Sequence, residues 1–81
     1  MVNYFARVLI NRIQLEGIPV TEVVPGTQLT DTMIRINDRV HVSFAPGYIS
    51  VVRTLPDGRM VFIDATRDNV ISKLKKAIAK K

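Results

Sequence analysis

The chain has 81 residues, 47% hydrophobic and 23% charged, with no cysteine. That is the composition of one small globular domain; it excludes a disordered chain, a disulfide scaffold and a thiolate metal site. The net charge of +5 favours an acidic partner such as nucleic acid, anionic lipid or an acidic protein face.

In chain order, Asn3 is placed to cap a helix from Tyr4 to about Glu16 that stops at Gly17. Phe5, Val8, Leu9 and Ile13 fall on one stripe, widened by Ile10 and Leu15, and Arg7, Asn11 and Gln14 fall on the other side. A strand through Tyr4–Ile10 is the competing reading, because Val and Ile also suit strands. Ile18–Val24 reads as a strand with Ile18, Val20 and Val24 on one face and Thr21 and Val23 on the other. Pro19 makes it an edge strand or places its start there. Pro25-Gly26 punctuates, and Thr27–Thr32 is polar and turn-like.

Between Ile34 and Phe44 the alternation is clear, with Ile34, Ile36, Val40, Val42 and Phe44 on one face and Arg35, Asn37, Arg39, His41 and Ser43 on the other. A two-residue turn at Asn37-Asp38 would pair Ile36 with Arg39 and mix apolar with polar groups, so register argues against it. A three-residue loop, Asn37–Arg39, pairs Ile36 with Val40 and Ile34 with Val42. One long strand bent at Asp38 keeps the same pattern, and both readings stand.

After the break at Ala45-Pro46-Gly47, Tyr48–Leu55 and Arg59–Ala65 form a hairpin around Pro56-Asp57-Gly58. Pro presets φ, Asp stabilises the bend and Gly takes the left-handed position. If Leu55 faces Arg59, Val51 meets Ile63 and Val52 meets Phe62. Ile49, Val51, Val61 and Ile63 then make one apolar face, and Val52, Met60 and Phe62 a smaller one behind it. A sheet apolar on both faces has to be covered twice.

Thr66 can cap the last helix, with Asp68 in its first turn. Val70, Ile71, Leu74, Ala77 and Ile78 form its core stripe. The expected class is α+β: a small antiparallel sheet of three to four strands with a helix at each end, in the order α-β-β-(β)-β-α.

Five of the twelve basic residues are lysines from position 73 onward. Arg67, Lys73, Lys76 and Lys80, with Lys75 and Lys81, can lie along a phosphate backbone. Arg35 and Arg39, with His41, Ser43 and Tyr48, make a second candidate, a basic strand face with an aromatic nearby. The bland alternatives are a solvated helix face with a dipole-friendly end and a solvent-facing strand. His41 is the only histidine and has no partner for ligation or catalysis. Pro56-Asp57 with Asp64-Ala65-Thr66 echoes the PD…(D/E)xK nuclease signature, but its lysine position is Thr66. No glycine-rich phosphate loop exists.

Asp57-Gly58-Arg59, Val61, Phe62, Ala65-Thr66 and Leu74-Lys75-Lys76 together resemble the small head–tail joining protein family of lambda-type phages. In that family too a DGR hairpin precedes an Ala-Thr-capped, lysine-bearing helix, after an N-terminal helix. The resemblance is confined to the C-terminal part, and Ile18–Gly47 has no counterpart there. It implies a phage structural adaptor acting through protein contacts at the DNA portal.

The expectation is a non-enzymatic single domain with no metal, cofactor or small-molecule substrate, contacting nucleic acid or a nucleoprotein complex through its basic C-terminal helix. The alternative is a phage or mobile-element adaptor or inhibitor that binds, or dimerises, through Val52, Met60 and Phe62. No apolar run approaches the roughly 20 residues of a membrane span. The N-terminal apolar stretch is interrupted by Arg7 and lacks a cleavage site, so a soluble, cytoplasmic protein is expected.

Overall fold

A computed structural model describes residues 4–27 and 30–80. The fold is α+β: α1 (Tyr4–Leu15), then β1 (Glu22–Val24), β2 (Thr32–Arg35), β3 (Val40–Ala45), β4 (Tyr48–Thr54), β5 (Met60–Ala65) and α2 (Val70–Ala79). The strands form one antiparallel sheet in sequential order, β1-β2-β3-β4-β5. The sheet has five strands rather than three or four: the Ile34–Phe44 stretch divides in two, and the expected edge strand Ile18–Val24 is present but shortened to Glu22–Val24.

Alternation and turn chemistry explain the registers. Ile34 pairs with Val42, and the Ile36 amide donates to Val40 O at 3.0 Å. The three-residue loop therefore forms, not the bent strand. Asn37 Oδ1 closes it by accepting from the amides of Arg39 and Val40. In the next hairpin the Leu55 amide donates to Arg59 O, so Val51 meets Ile63 and Val52 meets Phe62. Gly58 sits at φ +90°, a conformation that costs other residues steric strain.

Both helices pack on one sheet face. Ala6, Leu9 and Ile13 of α1 and Val70, Leu74 and Ala77 of α2 are buried against Ile34, Val42, Phe44, Ile49 and Val51. Tyr4–Leu15 is helix, not strand. It ends in a Schellman motif: Ile18 N–H bonds Ile13 O, Gly17 N–H bonds Gln14 O, and Gly17 has φ +79°. The proposed cap Asn3 lies outside the described residues.

The buried stripe of α1 is rotated from the expected one. Small Ala6 lies at its centre, Phe5 and Ile10 flank it, and Phe5 meets Phe44 edge-on at 5.1 Å. Leu15 is 85% exposed and widens nothing. Val23, not Val24, pairs with Ile34 on the helix-covered face, because the alternation slips at Thr21, whose amide bonds Arg35 O although Glu22 is the residue that pairs with Arg35. At α2, Thr66 and Asn69 exchange cap-type bonds: Thr66 N–H to Asn69 Oδ1 at 2.7 Å, and Asn69 N–H to Thr66 Oγ1 at 3.3 Å. The helix proper starts at Val70, so Asp68 precedes its first turn.

Candidate nucleic-acid interface and the free sheet face

The charge is sorted between the two layers. Residues 4–16 and 66–80, the helices with their flanking turns, hold Arg7, Arg12, Arg67, Lys73, Lys75, Lys76 and Lys80 against Glu16 and Asp68 alone. The face of the sheet without helices holds Arg35 against Glu22, Asp31 and Asp64. The basic excess therefore lies on the helix side.

The helix repeat places Lys73, Lys76 and Lys80 along one flank of α2 and Lys75 on the other. Lys75 Nζ is paired with Glu16 Oε1 at 2.5 Å, and that ammonium holds the Glu16 carboxyl below its ordinary value. Lys73 reaches over the β5 edge and donates to Asp64 O at 2.5 Å. Among the described residues, no carboxylate lies within ion-pair distance of Lys73, Lys76 or Lys80.

At the C-terminal end of α2, a groove of about 390 Å³ is lined by Lys80, Arg39 and Arg53 with Asp38, Leu55 and Ile78. The fold thus joins Lys80 to Arg39, from sequence-distant candidates, and adds Arg53, which the sequence reading missed. Its signal was present: Arg53 is in phase with apolar Ile49 and Val51 on β4, an odd place for a charge unless the chain opens to solvent there.

The other two candidates sit apart. Arg67 lies at the entry to α2, its guanidinium 5.8 Å from the Phe5 ring centroid, and Arg12 donates to its carbonyl oxygen. Arg35 is on the opposite face of the sheet, 3.0 Å from Glu22 Oε1. It does not join the lysine flank.

The helix-free face carries the apolar candidates. Val52 is fully buried, whereas Met60 is 55% and Phe62 64% exposed, so Val52 is floor and the other two are surface. Beside them His41 has a lowered pKa, from partial burial first and the Arg35 charge second. At the β3–β4 end, Asp31 Oδ2 accepts from Ser43 Oγ at 2.8 Å and from the Tyr48 hydroxyl. That bond, with burial and the Asp31 charge, raises the Tyr48 pKa. This Ser–Asp–Tyr cluster was not legible in the sequence, since its members are brought together only by the loop before β2. It borders a cleft of about 910 Å³ that runs past Phe5 and Arg67.

No group of three or more potential metal ligands occurs among the described residues, and no helix of theirs is long and apolar enough to cross a membrane. Compared with known proteins, the chain matches no family model, no curated protein and no solved structure.

Proposed function

We propose that this is a non-enzymatic cytoplasmic protein that binds nucleic acid, or a nucleoprotein complex, by backbone contact through its helix layer. The observation that carries this reading is the segregation of charge: seven basic residues against two acidic ones on the helix side, with Lys76 and Lys80 exposed. Lys76 and Lys80 lead the contact, Arg39 and Arg53 extend it around the end of α2, and Lys73 and Arg67 border it. Nothing in this arrangement reads base edges, so recognition is of phosphate and independent of sequence.

The test is binding of the purified protein to a short duplex and a short single strand at two salt concentrations. Affinity should fall steeply with salt, with a log–log slope of roughly −0.9 for each duplex phosphate neutralised. The double variant Lys76→Ala, Lys80→Ala should bind more weakly and with a shallower slope while keeping its thermal transition. Unchanged binding in that variant would sink the proposal.

Exposure of Met60 and Phe62 on a face without helices favours a second reading, a protein-binding adaptor. The resemblance to phage head–tail joining proteins belongs to it. Phe62→Glu would abolish contact with such a partner and leave nucleic-acid binding intact.

A further inference from the structure

β5 is an edge strand, and its hydrogen-bonding geometry singles out two residues. The Leu55 amide donates to Arg59 O, and the Thr54 amide points the other way, to Arg39 O. Alternation along an antiparallel pair then turns Val61 and Ile63 toward β4. The backbone groups of Met60, Phe62 and Asp64 are turned outward from the sheet. Lys73 Nζ confirms the outward direction at Asp64 by bonding its carbonyl oxygen.

Only that end of the edge is guarded. Proteins usually protect edges with proline, inward charge or a short strand. The opposite edge, β1, follows this rule: it is three residues long and lies between Pro19 and Pro25. β5 is six residues long and exposes Met60, Val61 and Phe62, apolar on both faces.

We infer that β5 pairs antiparallel with β5 of a second copy of this chain, making one continuous ten-stranded sheet. The register follows from two constraints. Only outward-facing residues can exchange ladder bonds, and the Lys73–Asp64 bond stays intact if the ladder stops short of it. Both are met when a two-fold axis normal to the sheet passes beside Val61. Met60 then exchanges both backbone bonds with the partner's Phe62, and Phe62 with the partner's Met60.

The side chains are self-complementary in this register. Each Met60 thioether lies across from the partner's Phe62 ring, a favourable sulfur–aromatic contact, and Val61 meets the partner's Val61. The two Lys73–Asp64 sites are six residues apart along the ladder, roughly 20 Å at about 3.4 Å per residue. That exceeds the screening length of about 8 Å at physiological salt, so the two Lys73 charges do not oppose pairing. The contact is small beside a standard interface of about 20–30 residues a side, so association depends on concentration.

This inference does not rest on nucleic-acid binding, and its test needs no ligand. Sedimentation equilibrium of the full chain, from micromolar to near-millimolar, should show a monomer–dimer equilibrium. Over the same range residue-resolved amide exchange should slow at least tenfold at Met60 and Phe62. Val61 and Ile63, already bonded to β4, should be protected throughout. The chain has no cysteine, so single variants report the register. Val61→Cys should crosslink into a dimer on mild oxidation, because facing non-hydrogen-bonded residues have Cα atoms about 4.5 Å apart, within disulfide range. It should do so at least tenfold faster than Met60→Cys, Phe62→Cys or the exposed control Leu15→Cys. A monomer at every concentration would overturn the proposal and leave the edge to a strand of another protein. A dimer with unprotected Met60 and Phe62 amides, or fastest crosslinking at position 62, would overturn it equally.

Discussion

Lys73 carries a role that its neighbours Lys76 and Lys80 do not. Its ammonium caps the outward carbonyl of Asp64, so part of its charge is committed to guarding a strand edge. Lys73→Ala should therefore reduce nucleic-acid affinity less than Lys80→Ala, as a titration of each variant would show. His41 makes a separate pH prediction. Its folded pKa lies below the ordinary value of about 6.5, so between the two values the unfolded chain binds the extra proton. Stability from this residue is fully present above about 6.5 and is lost as pH falls through the folded pKa. As the only histidine, its ring-proton resonance should titrate with a midpoint below 6.5, and His41→Asn should flatten the acid limb of the stability curve. Tyr48 shifts the other way. Asp31→Asn should bring its ionisation back toward about 10, as read by ultraviolet difference titration.

Within the elements, the same residue type has opposite weight on opposite sides. Leu74 is fully buried beneath α2, and Leu15 is almost fully exposed on α1. Leu74→Ala should cost about 2–5 kcal/mol by lost burial and a residual cavity. Leu15→Ala should stay within about 0.5 kcal/mol. Urea unfolding would separate them by midpoint at constant slope. Gly58 tests the hairpin: a Cβ there would meet nothing within 4 Å, so Gly58→Ala carries only the left-handed backbone penalty, about 1–2 kcal/mol. The capping exchange at Thr66 and Asn69 shows why boundaries were harder to place than elements. Thr66 does bond as a cap, but a turn separates it from the first α-helical residue.

At the scale of the whole molecule, the two layers differ in charge and in what they leave uncovered. The helix layer is basic and the opposite sheet face is apolar with mild acidity, so one molecule presents two surfaces of different chemistry. Edge pairing through β5 would keep both α2 helices on the same side of the enlarged sheet, with their Lys73–Lys80 flanks turned toward each other. Replacing Lys73, Lys76 and Lys80 together by alanine should flatten the salt dependence of binding by up to about three phosphate contacts without removing the folded state. A binding isotherm at two salt concentrations, beside a thermal melt, checks both halves.

The sequence by itself determined the Pro56-Asp57-Gly58 hairpin and its register, the C-terminal helix with the Val70, Leu74 and Ala77 centre of its buried stripe, and the break positions. These rest on local causes: period-two alternation, positive-φ glycines and the 3.6-residue repeat act within a few residues. The loop at Asn37–Arg39 and the helix at Tyr4–Leu15 each had a rival reading that the fold settled, and Ile78, read as core, is 37% exposed. Only the tertiary structure decided which sheet face the helices cover, that Ala6 and not Val8 centres the α1 contact, and that Val23 and not Val24 turns inward. It also joined Lys80 to Arg39 and Arg53, tied Asp31 to Ser43 and Tyr48, and put Arg35 on the far side from the lysines. Each of those depends on where segments distant in the chain meet, and local pattern carries no record of that meeting.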